Sequence, residues 1–256
     1  MIIRQDQIEV FDAGARDRFV NEAAAHITQF APKHAEVLGP KGTSNTARIG
    51  IDRARQYGFV HPGPVHFFLD LMYILGSEFD TDPQYPWAAQ ILKDSTIPGE
   101  MPRADRLHER CVKYLDTVAG PNNEYALAAL RRIKTIQPGT FGGNARESNA
   151  RMASALKSMY PQKVEYLGNN ELNALIGRAT GRANARALTS QAAAILFTAL
   201  EFTLGHAFER DPLYPWIAST LDNPDLTNQE DKIRLLHRKI MAYVDNAVTY
   251  LEQQPR

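Results

Sequence analysis

The chain of 256 residues contains one cysteine, Cys111, so no disulfide can close within it and a reducing compartment is the expected setting. Charge of one sign is not in excess either, since Lys plus Arg and Asp plus Glu number 29 each. Without a basic surplus there is no general attraction for nucleic acid or an anionic membrane, and neither is expected as a partner. No run of about twenty apolar residues is present, which excludes a helical membrane span. The opening MIIRQDQIEVFDAGARDRF is charged and lacks the apolar core of a signal peptide, so cytoplasmic residence is the expectation.

Motifs that carry chemistry are missing as well. His26, His34, His61, His66 and His206 show no H-E-x-x-H or paired ligand spacing, and no G-x-S-x-G elbow, C-x-x-C or kinase signature occurs. The glycine-bearing LGPKGTSN around Lys41 fails the phosphate-loop spacing, and TFGGN around Gly142 has no strand before it. Both read as turns. Cys111 lies on the apolar stripe of its segment and Ile240 holds the equivalent place further on, which fits a small core side chain rather than a nucleophile. No catalytic, cofactor-binding or metal-binding residue is assigned, no cofactor is implied, and an enzyme is not expected.

What is present is one phrase said twice. LGSEFDTDPQYPW ends at Trp87 and LGHAFERDPLYPW at Trp216, 129 positions later. The same shift pairs Pro32 with Pro161, Leu38-Gly39 with Leu167-Gly168, Arg53-Ala54 with Arg182-Ala183, Leu107-His108 with Leu236-His237, and Tyr114 with Tyr243. No gap is needed from Phe30 to Val118, so the expectation is a tandem duplication of one structural unit.

The periodicity within each copy is helical. Helices are expected over 15–30, 46–57, from His61-Pro62 to Gly76, over 86–92 and from about Arg103 to Val118. The stretch ending at Gly76 is apolar almost all round and reads as a buried central helix. The second copy repeats the order over 148–159, 171–186, 190–204, 215–221 and 231–252, and 123–136 reads as an extra helix. The fold class expected is all-α, with two tandem-duplicated helical lobes packed into one compact molecule. The first repeat covers 1–122, a connecting helix and glycine-rich linker 123–144, and the second repeat 145–256.

In D-P-x-Y-P-W the aspartate can accept backbone N–H groups of its own turn, the prolines fix the entry of a short helix, and tryptophan supplies buried surface. That is a structural corner. The competing reading, a cation site at Glu78, Asp80 and Asp82, meets Ala207, Glu209 and Asp211 in the second copy and lacks calcium-loop spacing. His108 and His237 recur in both copies and are read as buried, satisfied histidines, each within reach of its own corner aspartate.

The first copy, with MIIRQDQIEVF, the run GIDRARQYGF from Gly50 and DLMYILGSEFDTDPQYPW, resembles the small helical accessory proteins encoded in bacterial type VI secretion gene clusters. Those lie beside the spike protein, the adaptor and the toxic effector. The second copy departs from the pattern, with GRANARAL in place of R-A-x-x-Y-G and ALE in place of DLM. The resemblance implies a protein that binds proteins. Three roles compete: an accessory or co-chaperone that holds an effector or its adaptor until loading, an immunity protein that occludes the toxin, and a hydrolase or toxin in its own right. An inhibitor of a nuclease often presents an acidic face, so a neutral chain favours the accessory role. Candidates for contact with the partner, set against simple drift in loops, are the segments where the copies diverge most, 97–105 and 226–234, 54–64 and 183–193, together with 131–144, which is unique to one position in the chain.

Overall fold

In the computed structural model the backbone is described for residues 5–134 and 145–253, and side chains for 14–134 and 148–253. Every regular element among these residues is helical, so the fold is all-α. The elements are α1 (Gln5–Phe30), α2 (Pro32–Gln56), α3 (Pro62–Leu75), α4 (Pro86–Lys93), α5 (Glu100–Val118), α6 (Glu124–Ile133), α7 (Ala145–Met159), α8 (Pro161–Ala185), α9 (Gln191–Leu204), α10 (Pro215–Leu221) and α11 (Gln229–Gln253). A 3-10 turn at Pro121–Asn123 leads into α6. The expected linker, 137–144, lies outside the described residues.

Of the two segments expected to be turns, LGPKGTSN is helical and TFGGN lies outside the described residues. LGPKGTSN lies inside α2, where the helix yields for a single residue: Gly39 takes φ 65° and ψ 173°. Pro40 then opens the next turns, a place that suits a residue with a fixed φ and no N–H. Gly168, with φ 74° and ψ 164°, does the same in α8, which therefore begins at Pro161 rather than near Glu171. Helix α1 begins at Gln5, ahead of the expected start at Ala15. Helix bounds recur at the spacing of the sequence repeat, with α2 and α8 each 25 residues long and α3 and α9 each 14.

The contacts divide the chain into two units, one holding residues up to Thr81 with Tyr85–Leu107 and Asp211–Leu213, the other Asp82–Gln84, His108–Arg210 and Tyr214 onward. In unit 1, α1, α2 and α3 pack pairwise. Val65, Phe68, Leu69, Leu71 and Met72 make α3 the buried centre, with Ala23 and Ile27 from α1 and Ala47, Ile51 and Ala54 from α2 against it. Gly50 sets the approach of α2 to α3, since a Cβ there would overlap Leu69 Cδ2 and lie 2.8 Å from Met72 Sδ. In unit 2, α8 packs on α7 and α9, and α11 packs on α6, α9 and α10. Phe197, Phe202 and Phe208 fill its centre.

Candidate functional site

The repeated phrase forms two corners whose aspartates are spent on backbone. Asp82 belongs to unit 2, where its Oδ1 accepts the Gln84 N–H at 2.9 Å and its Oδ2 the His206 N–H at 2.7 Å. Asp211 belongs to unit 1, where its Oδ1 accepts the Leu213 N–H at 2.9 Å and its Oδ2 the Ser77 N–H at 3.0 Å. Ser77 and His206 each follow a glycine at the end of a central helix, Gly76 with φ 104° and Gly205 with φ 96°.

Of the carboxylates that sequence spacing places together, Glu78 and Asp80 share one arginine and Asp82 is spent on backbone N–H groups. Asp80 accepts from the Arg53 guanidinium at 2.6 Å and from the Tyr57 hydroxyl at 2.8 Å. Glu78 lies 3.9 Å from Arg53, while Asp82 is in unit 2. Among the described residues no group of three or more His, Cys, Asp and Glu side chains is arranged to hold a metal ion. In unit 2 Glu209 pairs with Arg182 and Arg186, the same scheme with arginine in place of Tyr57. The buried Glu201 lies against Arg178 at 2.9 Å and Arg182 at 3.6 Å. Burial holds its carboxyl above the ordinary value against the pull of those arginines. Burial also lowers Lys163 to about 8, with Asp82 acting the other way. A lysine of lowered pKa suits amine chemistry. Here the Lys163 ammonium is sealed, donating to the Phe202 carbonyl and lying 4.9 Å from the centre of the Phe202 ring.

The recurring histidines depart from expectation. His108 is exposed, and the imidazole beside Asp82 is that of His206, 3.4 Å away. His237 is half-buried and lines an apolar cavity of about 60 Å³ in unit 2. The cations ahead of the expected linker are engaged with α11, Arg131 with Glu252 at 2.6 Å and Lys134 with Asp245 at 2.5 Å. The divergent segment 54–64 is tied down, since Glu100 accepts the Val60 and His61 N–H groups and contacts the His61 ring.

Exposed large apolar side chains are more numerous in unit 1 than in unit 2 among the described residues. Phe30 is 44% exposed, Val37 76% and Ile74 40%, with Val60 and Met101 also exposed, whereas in unit 2 only Val112 and Tyr250 are so among the described residues. Phe30 and Ile74 lie one helical turn beyond His26 and Asp70, whose side chains meet at 2.7 Å between α1 and α3. At the same register in unit 2, Met159 replaces Phe30 and is 3% exposed, Tyr166 replaces Val37 and stacks edge-on with Tyr114 at 5.0 Å, and Thr203 replaces Ile74. The α7–α9 seam that holds Met159 is lined further by Ile133 of α6 and by Ile240 and Met241 of α11. Sequence reasoning named divergent segments as contact candidates and did not single out Phe30, Val37 and Ile74, whose signal is an apolar residue where the other copy has a covered or polar one. No protein-family model, curated protein or solved structure matches the chain.

Proposed function

We propose that the chain is a protein-binding accessory of the type VI secretion system, built by tandem duplication of one helical unit and acting in the cytoplasm by binding rather than catalysis. Its partner is a toxic effector or the adaptor that carries it, held until loading. The resemblance of the first copy supplies the system, and the recurrence of helix bounds at the repeat spacing supports the duplication.

The observation that carries the binding role is the exposure of Phe30 and Ile74, each one helical turn beyond the His26–Asp70 contact, with Val37 exposed on α2. Solvent-facing apolar clusters of this kind are characteristic of protein docking sites. Unit 2 indicates the chemistry of the occupant: the positions corresponding to the α1–α3 seam are lined there by large aliphatic side chains from α6 and α11. The partner is accordingly a helix that offers leucine, isoleucine or methionine to the seam, at the helix-in-groove spacing of anchors.

Co-expression with the effector and adaptor encoded beside the chain tests this. A stable complex or a raised effector level, lost in Phe30→Asp and Ile74→Asp with the helical content unchanged, is the expected result. Rescue of cells from the toxin would instead make the chain an immunity protein. No complex with either protein would reject the reading.

A further inference from the structure

The α1–α3 seam contains a stack of rings that the binding role alone does not require. Phe19 stacks on His66 with centroids 6.4 Å apart, His66 on His26 at 4.4 Å, and His26 on Phe30 at 6.3 Å, with interplanar angles of 14°, 10° and 11°. His26 Nε2 shares a hydrogen bond with Asp70 Oδ1 at 2.7 Å, and His66 Nε2 is buried with no hydrogen-bond partner among the described residues. The groups that face the pair are Glu22 from α1 and Asp70 from α3, while His34 from α2 sits edge-on to Tyr73, 5.5 Å away. One hydrogen-bonded carboxylate therefore serves two imidazoles in contact. Two cationic rings at that separation repel, and Asp70 can compensate only one.

The geometry points to a proton-operated latch: a proton taken up by His66, beside a His26 already bonded to Asp70, drives the stacked rings apart and loosens the C-terminal half of α1, with Phe30, from α3. As regulation of the docking face this rests on the proposed function, because Phe30 is both the end of the stack and part of that face. As a property of the free protein it does not. Burial first, and the neighbouring His26 second, hold the His66 imidazole below its ordinary value, with Glu22 acting weakly the other way. A histidine depressed in the folded state contributes stability that is present above the ordinary value of 6.5 and is lost as pH falls below it, so acid opens the seam. Unit 2 is an internal control. The residues in register with Phe19, His26, Phe30, His66 and Asp70 are Ser148, Ala155, Met159, Ile195 and Ala199, none of which titrates in this range.

The test is hydrogen exchange of the full chain, free of any partner, at about pH 5 and about pH 8, corrected for intrinsic rates, with the histidine rings titrated by NMR. The expected result is loss of protection in 20–30 as pH falls, by at most about tenfold per pH unit for one proton, with the α7–α9 seam unchanged. His66→Phe keeps a stackable ring and should abolish the pH dependence. Equal protection of the α1 segment at both pH values overturns the latch, and so does persistence of the dependence in His66→Phe. Should that variant not fold, the titration of the unaltered protein decides: coupled curves for His26 and His66 support the latch, and independent curves reject it. An intact latch in a chain that captures neither effector nor adaptor would reject the proposed function and leave the latch standing.

Discussion

Asp82 and Asp211 accept from equivalent backbone groups at nearly the same distances, yet their carboxyls move in opposite directions. Burial pushes Asp211 up to about 6, and its Ser77 and Leu213 bonds offset this only in part. Burial acts on Asp82 too, but the His206 ring and the N–H groups of Gln84 and His206 outweigh it and hold the carboxyl below the ordinary range. The decisive difference is the residue after the helix-ending glycine, histidine in one copy and serine in the other. A repeated backbone role thus leaves the electrostatics free to diverge, because hydrogen-bond geometry is fixed by the main chain and protonation by the neighbours.

Removing the two carboxylates should separate the corners most strongly. Asp82→Ala leaves the His206 and Gln84 N–H groups unpaired and takes a counter-charge from the buried Lys163, and unsatisfied buried groups cost about 1 to 3 kcal/mol each. We expect a loss of about 3 kcal/mol or more by urea unfolding at neutral pH for Asp82→Ala. For Asp211→Ala we expect about 1 to 2 kcal/mol, since the same change also relieves a buried carboxylate that Glu78 repels. Equal losses would mean that the backbone role alone sets the value of each corner.

The pH dependence sharpens the same contrast. Asp211 is raised above the carboxyl value of 3.8, so its contribution is fully present below that value and is lost as pH rises through about 6. Asp82 is lowered, so its contribution is present above 3.8 and is lost as pH falls. Asp211→Asn should flatten the stability profile between 3.8 and about 6 and leave the acid limb in place, as read from urea midpoints across pH. His206→Ser should move Asp82 toward the behaviour of Asp211. A raised Asp82 is the NMR outcome that supports this, and an unmoved one would point to Gln84 as the controlling group.

Helical class and most helix ends were legible because apolar periodicity and the glycines at 58, 76 and 205 mark them directly. The Gly39 and Gly168 kinks were not, since a glycine followed by Pro40 or by Asn169 in a polar run reads as a helix end whether it interrupts the helix for one residue or for eight. The assignment of Asp82 and Asp211 was hidden for a different reason: short-range spacing ties an aspartate to its own turn but says nothing of the distant N–H that takes its second oxygen. The imidazole stack was half visible, with His26 and Phe30, and His66 and Asp70, each four residues apart on one helix face. Only the register of α1 on α3, set by tertiary packing, brings those two faces together.

The packing contrast at Gly50 and Ala179 is the next test. These positions correspond in the two units, but Leu69 and Met72 oppose the glycine whereas Thr198 and Glu201 hold the corresponding places in α9. A methyl group at 50 has no room without displacing Leu69, so Gly50→Ala should cost about 1 to 3 kcal/mol despite the better helix propensity of alanine. Ala179→Gly should cost about 1 kcal/mol, from propensity and lost packing. A stabilised Gly50→Ala would show that α2 and α3 can part without penalty.

The smallest expected effect lies at the turn that ends the long kinked helices. Gly58 adopts φ 73°, and Ala187, its counterpart, adopts φ 59°, a left-handed conformation that costs an L-residue with a Cβ. The backbone around Ala187 is nonetheless held: its N–H bonds to the Asn184 carbonyl at 2.9 Å and the Leu188 N–H to the Ala183 carbonyl at 2.9 Å, the same closure that Gly58 and Phe59 make on Arg55 and Ala54. Main-chain bonding therefore fixes the conformation in both copies, and the side chain only sets its cost. Ala187→Gly should raise stability by about 0.5 to 1 kcal/mol, and Gly58→Ala should lower it by about 1 kcal/mol. Opposite signs in paired thermal unfolding curves are the expected outcome. A loss in both would mean that the Ala187 methyl group packs well enough to outweigh its backbone, and that the second copy has turned a strained turn into a contact.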